Sequence, residues 1–246
     1  MPTARAPALP YSAPMPTPPP PALTELAAWL GRRLQERDSL WRPAPGQPDP
    51  EVRRLLLALE PGDLPPAPPD GEAGALFVHR AFRLGGRWPA WPILTSHDGF
   101  DRALTTGENP ALAARLGWAA PRTLHWKGAV IGMAADPGLA WPDLLARLDR
   151  EFGGHEALIP PADPGAPARV AVMNAMRPEL LREVQTQGVG VYVTGQLRPG
   201  AVDTARELGL GVIALGHRRS EVWGLHQLAR EMRAEFPTLE TAVLTG

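Results

Sequence analysis

Apolar positions change their period along this chain, and each change marks an element. Leu23, Leu26, Leu30 and Leu34 recur at three- and four-residue steps. That spacing predicts a helix with one buried face, with Thr24 as its N-cap. PDPEVRRLLLALE begins with helical character and turns strand-like at Leu55–Leu59. The short apolar runs ALFVH and PILTSH, ending at His79 and His97, read as buried strands. PALAARLGW predicts a helix with Pro110 in its first turn, HWKGAVIGMAA a strand, and AWPDLLARLDREFGG a helix closed by Gly153.

The second half is more regular. RVAVMNA, GVYVTG, GVIALG and TAVLTG read as strands, and PELLREVQTQG, RPGAVDTARELG and SEVWGLHQLAREMRAEF as the helices between them. Strands alternating with helices predict parallel βαβ units and an α/β fold. In such folds a ligand sits at the carboxyl ends of the strands. Residues 1–22 differ: nine prolines fall within the first 21 positions, with almost no charge. This predicts an extended, disordered Pro-rich tail. The expected organisation is therefore tail 1–22, a first α/β lobe 23–125 and a second α/β lobe 126–246, with the last helix free to pack back on the first lobe.

Charge narrows the partners. The chain's 25 basic and 26 acidic residues give a net charge of −1, which offers no attraction for nucleic acid or an anionic membrane. The absence of cysteine excludes disulfides, thiolate zinc sites, iron–sulfur clusters and a cysteine nucleophile. Any metal must be held by His, Asp and Glu. No run of about 18 apolar residues offers a membrane span, and the tail lacks the apolar stretch of a signal peptide, so the expected address is the cytoplasm. The glycine patterns of dinucleotide and phosphate loops are missing, as is the G-x-S-x-G of a nucleophile elbow.

What chemistry remains lies with the histidines. His79, His97 and His217 each follow a predicted strand. In GHRRSE, His217 and Glu221 are four apart on one helical face and could chelate a divalent cation. Alternatively Ser220 caps that helix and Glu221 complements its dipole. In SHDGFD, His97, Asp98 and Asp101 crowd a turn that Gly99 allows to bend sharply. Those carboxylates either bind metal or cap a helix. His79, beside Arg80, is either a ligand or a packed core histidine.

Taken in order, FVHRAF, SHDGFD, YVTGQL and GHRRSE resemble the NIF-three-like dinuclear-metal family, whose members carry the name GTP cyclohydrolase 1 type 2 homolog. The resemblance spans roughly residues 23–246. It implies two interlinked α/β lobes with a metal site in the cleft between them, and a hexamer built from trimers. It also implies His79, Asp101, His217 and Glu221 as ligands for a divalent ion (zinc, iron or manganese), one or two per subunit. Three positions depart from the pattern. Arg80 stands where the family has a second histidine, Gln196 where it has an aspartate, and Gly200 where a histidine is common. A guanidinium cannot ligate and repels a nearby cation.

Two readings follow. In one, the protein is a metal-dependent hydrolase in which a metal-bound water attacks a nucleotide or other small anionic substrate. His97 then shuttles the proton and Arg80 binds the substrate. In the other, it is a non-catalytic, metal-binding oligomeric module with a degraded site. A plain nucleotide-binding α/β domain is a third possibility, without a phosphate loop to support it.

Overall fold

The computed structural model describes residues 18–43, 45–46, 49–69 and 74–246. The expected tail therefore lies, for its first seventeen residues, outside the described residues. The chain runs through α1 (Leu23–Leu34), β1 (Leu40–Arg42), β2 (Arg54–Ala58), β3 (Gly74–Val78), β4 (Ile93–Leu94), α2 (Asp98–Leu104) and α3 (Pro110–Arg115). It continues with β5 (Arg122–Trp126), β6 (Ala129–Ala135), α4 (Trp141–Phe152), β7 (Ala157–Ile159) and β8 (Arg169–Met173). The last part is α5 (Pro178–Thr186), β9 (Val189–Thr194), α6 (Pro199–Glu207), β10 (Gly211–Ala214), α7 (His217–Glu235) and β11 (Glu240–Leu244).

Among the described residues the strands form two sheets, ordered β1-β4-β3-β2-β11 and β5-β6-β8-β9-β10-β7. β4, β3, β2 and β11 run parallel, and so do β8, β9 and β10. Each sheet is buried on both faces, as parallel strands require. Leu55, Leu57 and Phe77 pack with α1, α2 and α7, while Leu56, Leu76 and Val78 face Trp88 and Trp91 on the other side. In the second sheet, Val170, Val172, Val191 and Val193 meet α4, and Ala171, Met173 and Tyr192 meet α5 and α6. The two α/β lobes exchange segments. β5 already belongs to the second sheet, whereas α7 fills the first lobe's core with Leu225, Leu228 and Met232, and β11 completes the first sheet.

Three expectations are corrected. Thr24 does not cap α1: Ala22 holds the N-cap position, and the Thr24 backbone N–H and hydroxyl both donate to Asp49, at 2.9 and 2.8 Å. HWKGAVIGMAA is not one strand: it holds the end of β5, a two-residue turn at Lys127 and Gly128, and all of β6, paired as a hairpin. Lys127 and Gly128 both take positive φ, 51° and 79°, which suits a two-residue hairpin turn. The run before Leu55 forms no helix, since the strand already begins at Arg54.

α2 and α7 meet at Gly224. A Cβ there would lie 2.7 Å from the Leu104 carbonyl oxygen and 2.8 Å from Phe100 Cζ. Because α2 carries Asp101 and α7 carries Glu221, this close approach sets the distance between the two carboxylates. Gly224→Ala gains about 1 kcal/mol of helix propensity but forces backbone and a buried ring apart. A net loss of about 1–2 kcal/mol is expected from urea denaturation. A more stable variant would show that α2 yields freely and does not fix the spacing.

Candidate functional site

The carboxyl ends of strands from both sheets converge on one place. His79 directly follows β3, and its N–H donates to the Ala58 carbonyl at 3.0 Å, prolonging the sheet by one residue. Ser96 and His97 follow β4 and lead into α2, whose first turn presents Asp101. The Ser96 hydroxyl accepts from the Phe100 N–H at 3.1 Å and holds that turn. On the other side, β10 ends at Ala214. Gly216 (φ 100°) turns the chain into α7, which brings His217 and Glu221 on its first turn. Only glycine adopts that φ without strain.

His79 is the centre of the arrangement. It is fully buried, stacked on His97 (ring centroids 4.7 Å, 16° between planes) and flanked by Phe100. Its Nδ1 lies 2.9 Å from the Ser96 carbonyl oxygen, so Nδ1 carries the proton and donates it there. Nε2 then faces two carboxylates, Asp101 Oδ1 and Glu221 Oε1, each at 3.3 Å. Nε2 of His79 and Oδ1 of Asp101 are both buried, and neither has a hydrogen-bond partner. A lone pair aimed at two anions is repulsive, so a positive charge is needed between them: either a proton on Nε2 or a metal cation. In the absence of a metal, burial pushes the His79 pKa down. The Asp101 and Glu221 carboxylates and the Ser96 carbonyl outweigh that and raise it to about 9.

Arg80 occupies the other half. Its guanidinium is nearly buried and donates to Glu221 Oε1 at 2.5 Å, to Glu60 Oε1 at 2.9 Å and to His217 Nε2 at 3.0 Å. Guanidinium only donates, so His217 Nε2 must be the acceptor. Glu221 Oε1 is the hub of this half, within 3.3 Å of His79, Arg80 and His217. Burial favours the neutral form of Glu221, but His79 and Arg80 hold its carboxyl below the usual range. A second layer fixes the frame: Arg83 donates to Glu60 at 3.1 Å, and Arg218 pairs with Asp63, which in turn accepts from the Leu59 and Glu60 N–H groups.

The residues present fit one cation. Ligand atoms of His79, His97 and Asp101 all lie within 4.8 Å of one another, and the unpaired Nε2 and Oδ1 are the donors a divalent ion would satisfy. The Ser96 carbonyl on Nδ1 is the outer contact that orients a ligating imidazole. His97, read from sequence as a proton shuttle, stands in this group, with Nδ1 held by Asp98 at 2.8 Å and Nε2 left free. His217 and Glu221, read as ligands, are brought to the same site but face Arg80.

A cleft of about 80 Å³ opens beside the carboxylates, lined by Asp101, Thr105, Asn174, Gly195, Gln196 and Arg198 among others. Sequence reasoning missed Asn174 and Arg198. Asn174 directly follows β8, so the strand-end rule applied to histidines would have found it. The exposed Arg198 guanidinium has no partner among the described residues and stands free at the cleft rim.

The family Duf34/NIF3 (NGG1p interacting factor 3) matches residues 92–245. A GTP cyclohydrolase 1 type 2 homolog of Pseudomonas aeruginosa is 26% identical over 213 residues, covering 76% of this chain and 81% of that protein. Among solved structures, reduced HcgD from Methanocaldococcus jannaschii aligns with a TM-score of 0.71 at 18% identity, over 92% of this chain and all of that one. TTHA1606 from Thermus thermophilus aligns with a TM-score of 0.65 at 19% identity, over 91% and 97%. At these identities the structural matches speak for the fold.

Proposed function

The chain belongs to the Duf34/NIF3 family, and from that premise we propose that it is a metal-dependent hydrolase acting on a small anionic substrate. His79, His97 and Asp101 hold one divalent ion (zinc, iron or manganese), with Glu221 as the neighbouring carboxylate. The observation that carries this reading is the buried, unpartnered Nε2 of His79 facing Asp101 and Glu221. When bound, the ion supplies Lewis acidity. The protein's own groups do the rest. Asp98 accepts from Nδ1 of His97 and so leaves the Nε2 lone pair for the ion. Arg198, free at the rim, attracts an anionic group, and the exposed Asn174 offers hydrogen bonds to the part of the substrate that enters.

This shifts the anion-binding role from Arg80, whose donors are taken up by Glu60, Glu221 and His217, to Arg198. The Pseudomonas relative's name makes GTP ring opening the first activity to assay; no residue of this site specifies guanine. Assembly as a homo-oligomer (a hexamer, by resemblance) and a cytoplasmic location belong to the same reading. Among the described residues, no helix is long and apolar enough to cross a membrane.

The engagement of His217 and Glu221 by Arg80 favours a second reading, a non-catalytic oligomeric module that keeps a single ion. Protein purified without chelator or a nickel-affinity tag is expected to hold near one equivalent of metal by elemental analysis. It should also hydrolyse at least one member of a panel of GTP, other nucleotides and small phosphoesters. Metal without turnover selects the second reading. No metal, with no rise in melting temperature on adding zinc, manganese or iron(II), defeats both.

A further inference from the structure

We propose that the Arg80 guanidinium is a built-in cation filling a second metal position, so that replacing it with a neutral ligand opens a second divalent-ion site. The inference rests on the one-ion reading above and adds to it. Glu221 is only 2% exposed, so its charge must be met locally. His79 Nε2 meets one side of it at 3.3 Å, and the remaining side is met by Arg80 Nη2 at 2.5 Å. The same nitrogen lies 3.0 Å from His217 Nε2, on the lone pair a metal would otherwise take. Glu60 Oε1, at 2.9 Å from Arg80 Nη1, supplies another carboxylate. One positive group is thus ringed by an imidazole and two carboxylates, the hard and borderline donors that suit zinc, manganese or iron(II). The guanidinium is fixed there covalently and cannot be exchanged or chelated, since it stays charged at any ordinary pH.

Two consequences separate this arrangement from an ordinary surface ion pair. An exogenous ion placed at Glu221 and His217 would sit against a permanent positive charge, so the wild-type protein takes one ion and not two. Removing the charge while supplying an imidazole leaves Glu221, His217 and the new side chain as three ligands with no cation among them, and a divalent ion becomes the group that satisfies them.

The test is metal stoichiometry in Arg80→His, with Arg80→Gln as the second variant, both as the full chain. Each is dialysed against a small excess of manganese(II), then analysed for bound metal and by electron paramagnetic resonance. The expected result is one more equivalent in Arg80→His than in wild type, with the six-line manganese signal of wild type weakened by coupling between two neighbouring ions. Arg80→Gln, which removes the charge without adding an imidazole, should gain the second ion with at least tenfold weaker affinity. Equal metal content in wild type and both variants overturns the proposal, as does a wild-type protein that already takes two ions. If Arg80→His does not fold, Arg80→Gln decides alone, by gain or absence of the extra equivalent. The wild-type count tests the one-ion reading, and the difference between variant and wild type tests this proposal, so the two can fail separately.

Discussion

Stripped of divalent ions by a chelator, the protein is expected to lose roughly 3 kcal/mol of stability as the pH rises from 6.5 to 9. The cause is His79. Its ordinary pKa is 6.5, and in the fold it is raised to about 9. Below pH 6.5 both the folded and the unfolded chain carry the proton, and the favourable charge between Asp101 and Glu221 is fully present. Between 6.5 and 9 the unfolded chain releases that proton and the folded one keeps it, so folding becomes steadily less favourable. Above 9 the contribution is gone, and an imidazole lone pair faces two carboxylates. Cation binding follows the opposite course. A metal must displace the Nε2 proton, so its affinity should climb by up to about tenfold per pH unit across the same window. Chelated and metal-loaded protein therefore diverge: urea midpoints fall with pH in the first and hold or rise in the second. Chelated protein with a flat stability profile between pH 6.5 and 9 would mean that His79 does not carry this proton, and that the pocket does not demand a positive charge.

The sequence revealed this site more fully than it revealed the fold around it. Three histidines at strand ends and two acidic residues within four positions of a histidine were legible because strand periodicity and helical spacing are local properties. His79, His97, Asp101, His217 and Glu221 do converge, and the layered α/β architecture with its parallel strands follows from the same periodicity. Three things were hidden because they depend on contacts between distant segments. β1 and β7 are three residues each, too short for a period, and exist because an open sheet edge beside them is paired. The helical character of α2 was hidden because its seven residues fall short of two full helical repeats, and SHDGFD, with Gly99 allowing a sharp bend, reads as a turn. Gly99 is there because a Cβ would lie 2.3 Å from the Leu34 carbonyl oxygen, where α2 crosses the end of α1. The aim of the Arg80 guanidinium was hidden for the same reason. Its neighbours in sequence gave no sign that Glu60 and Glu221, 20 and 141 positions away, would claim its donors rather than a substrate.

Asp101→Asn is expected to weaken divalent-ion binding at least 100-fold, the largest effect of any single substitution in the site that keeps its shape. Asparagine is nearly isosteric with aspartate, and the Asp101 backbone N–H, which donates to His97 at 2.9 Å to close the first turn of α2, is unaffected. What disappears is one of two negative charges facing Nε2 of His79, at an oxygen that is buried and has no hydrogen bond to lose. A structural role for Asp101 alone would lower stability at every pH. The role assigned here makes a different prediction, because Asp101 is the strongest of the groups that raise the His79 pKa against the effect of burial. In the chelated variant the pH window of weakening should therefore move down from 9 towards 6.5. At pH 9 and above, where His79 has lost its proton in both proteins, the variant should be at least as stable as wild type, since one of the two anions facing the lone pair is gone. Calorimetric titration with manganese or zinc reads the affinity, and urea denaturation in chelator at several pH values reads the window. Undiminished ion binding by the variant would remove Asp101 from the ligand set and, with it, the case for a cation beside His79.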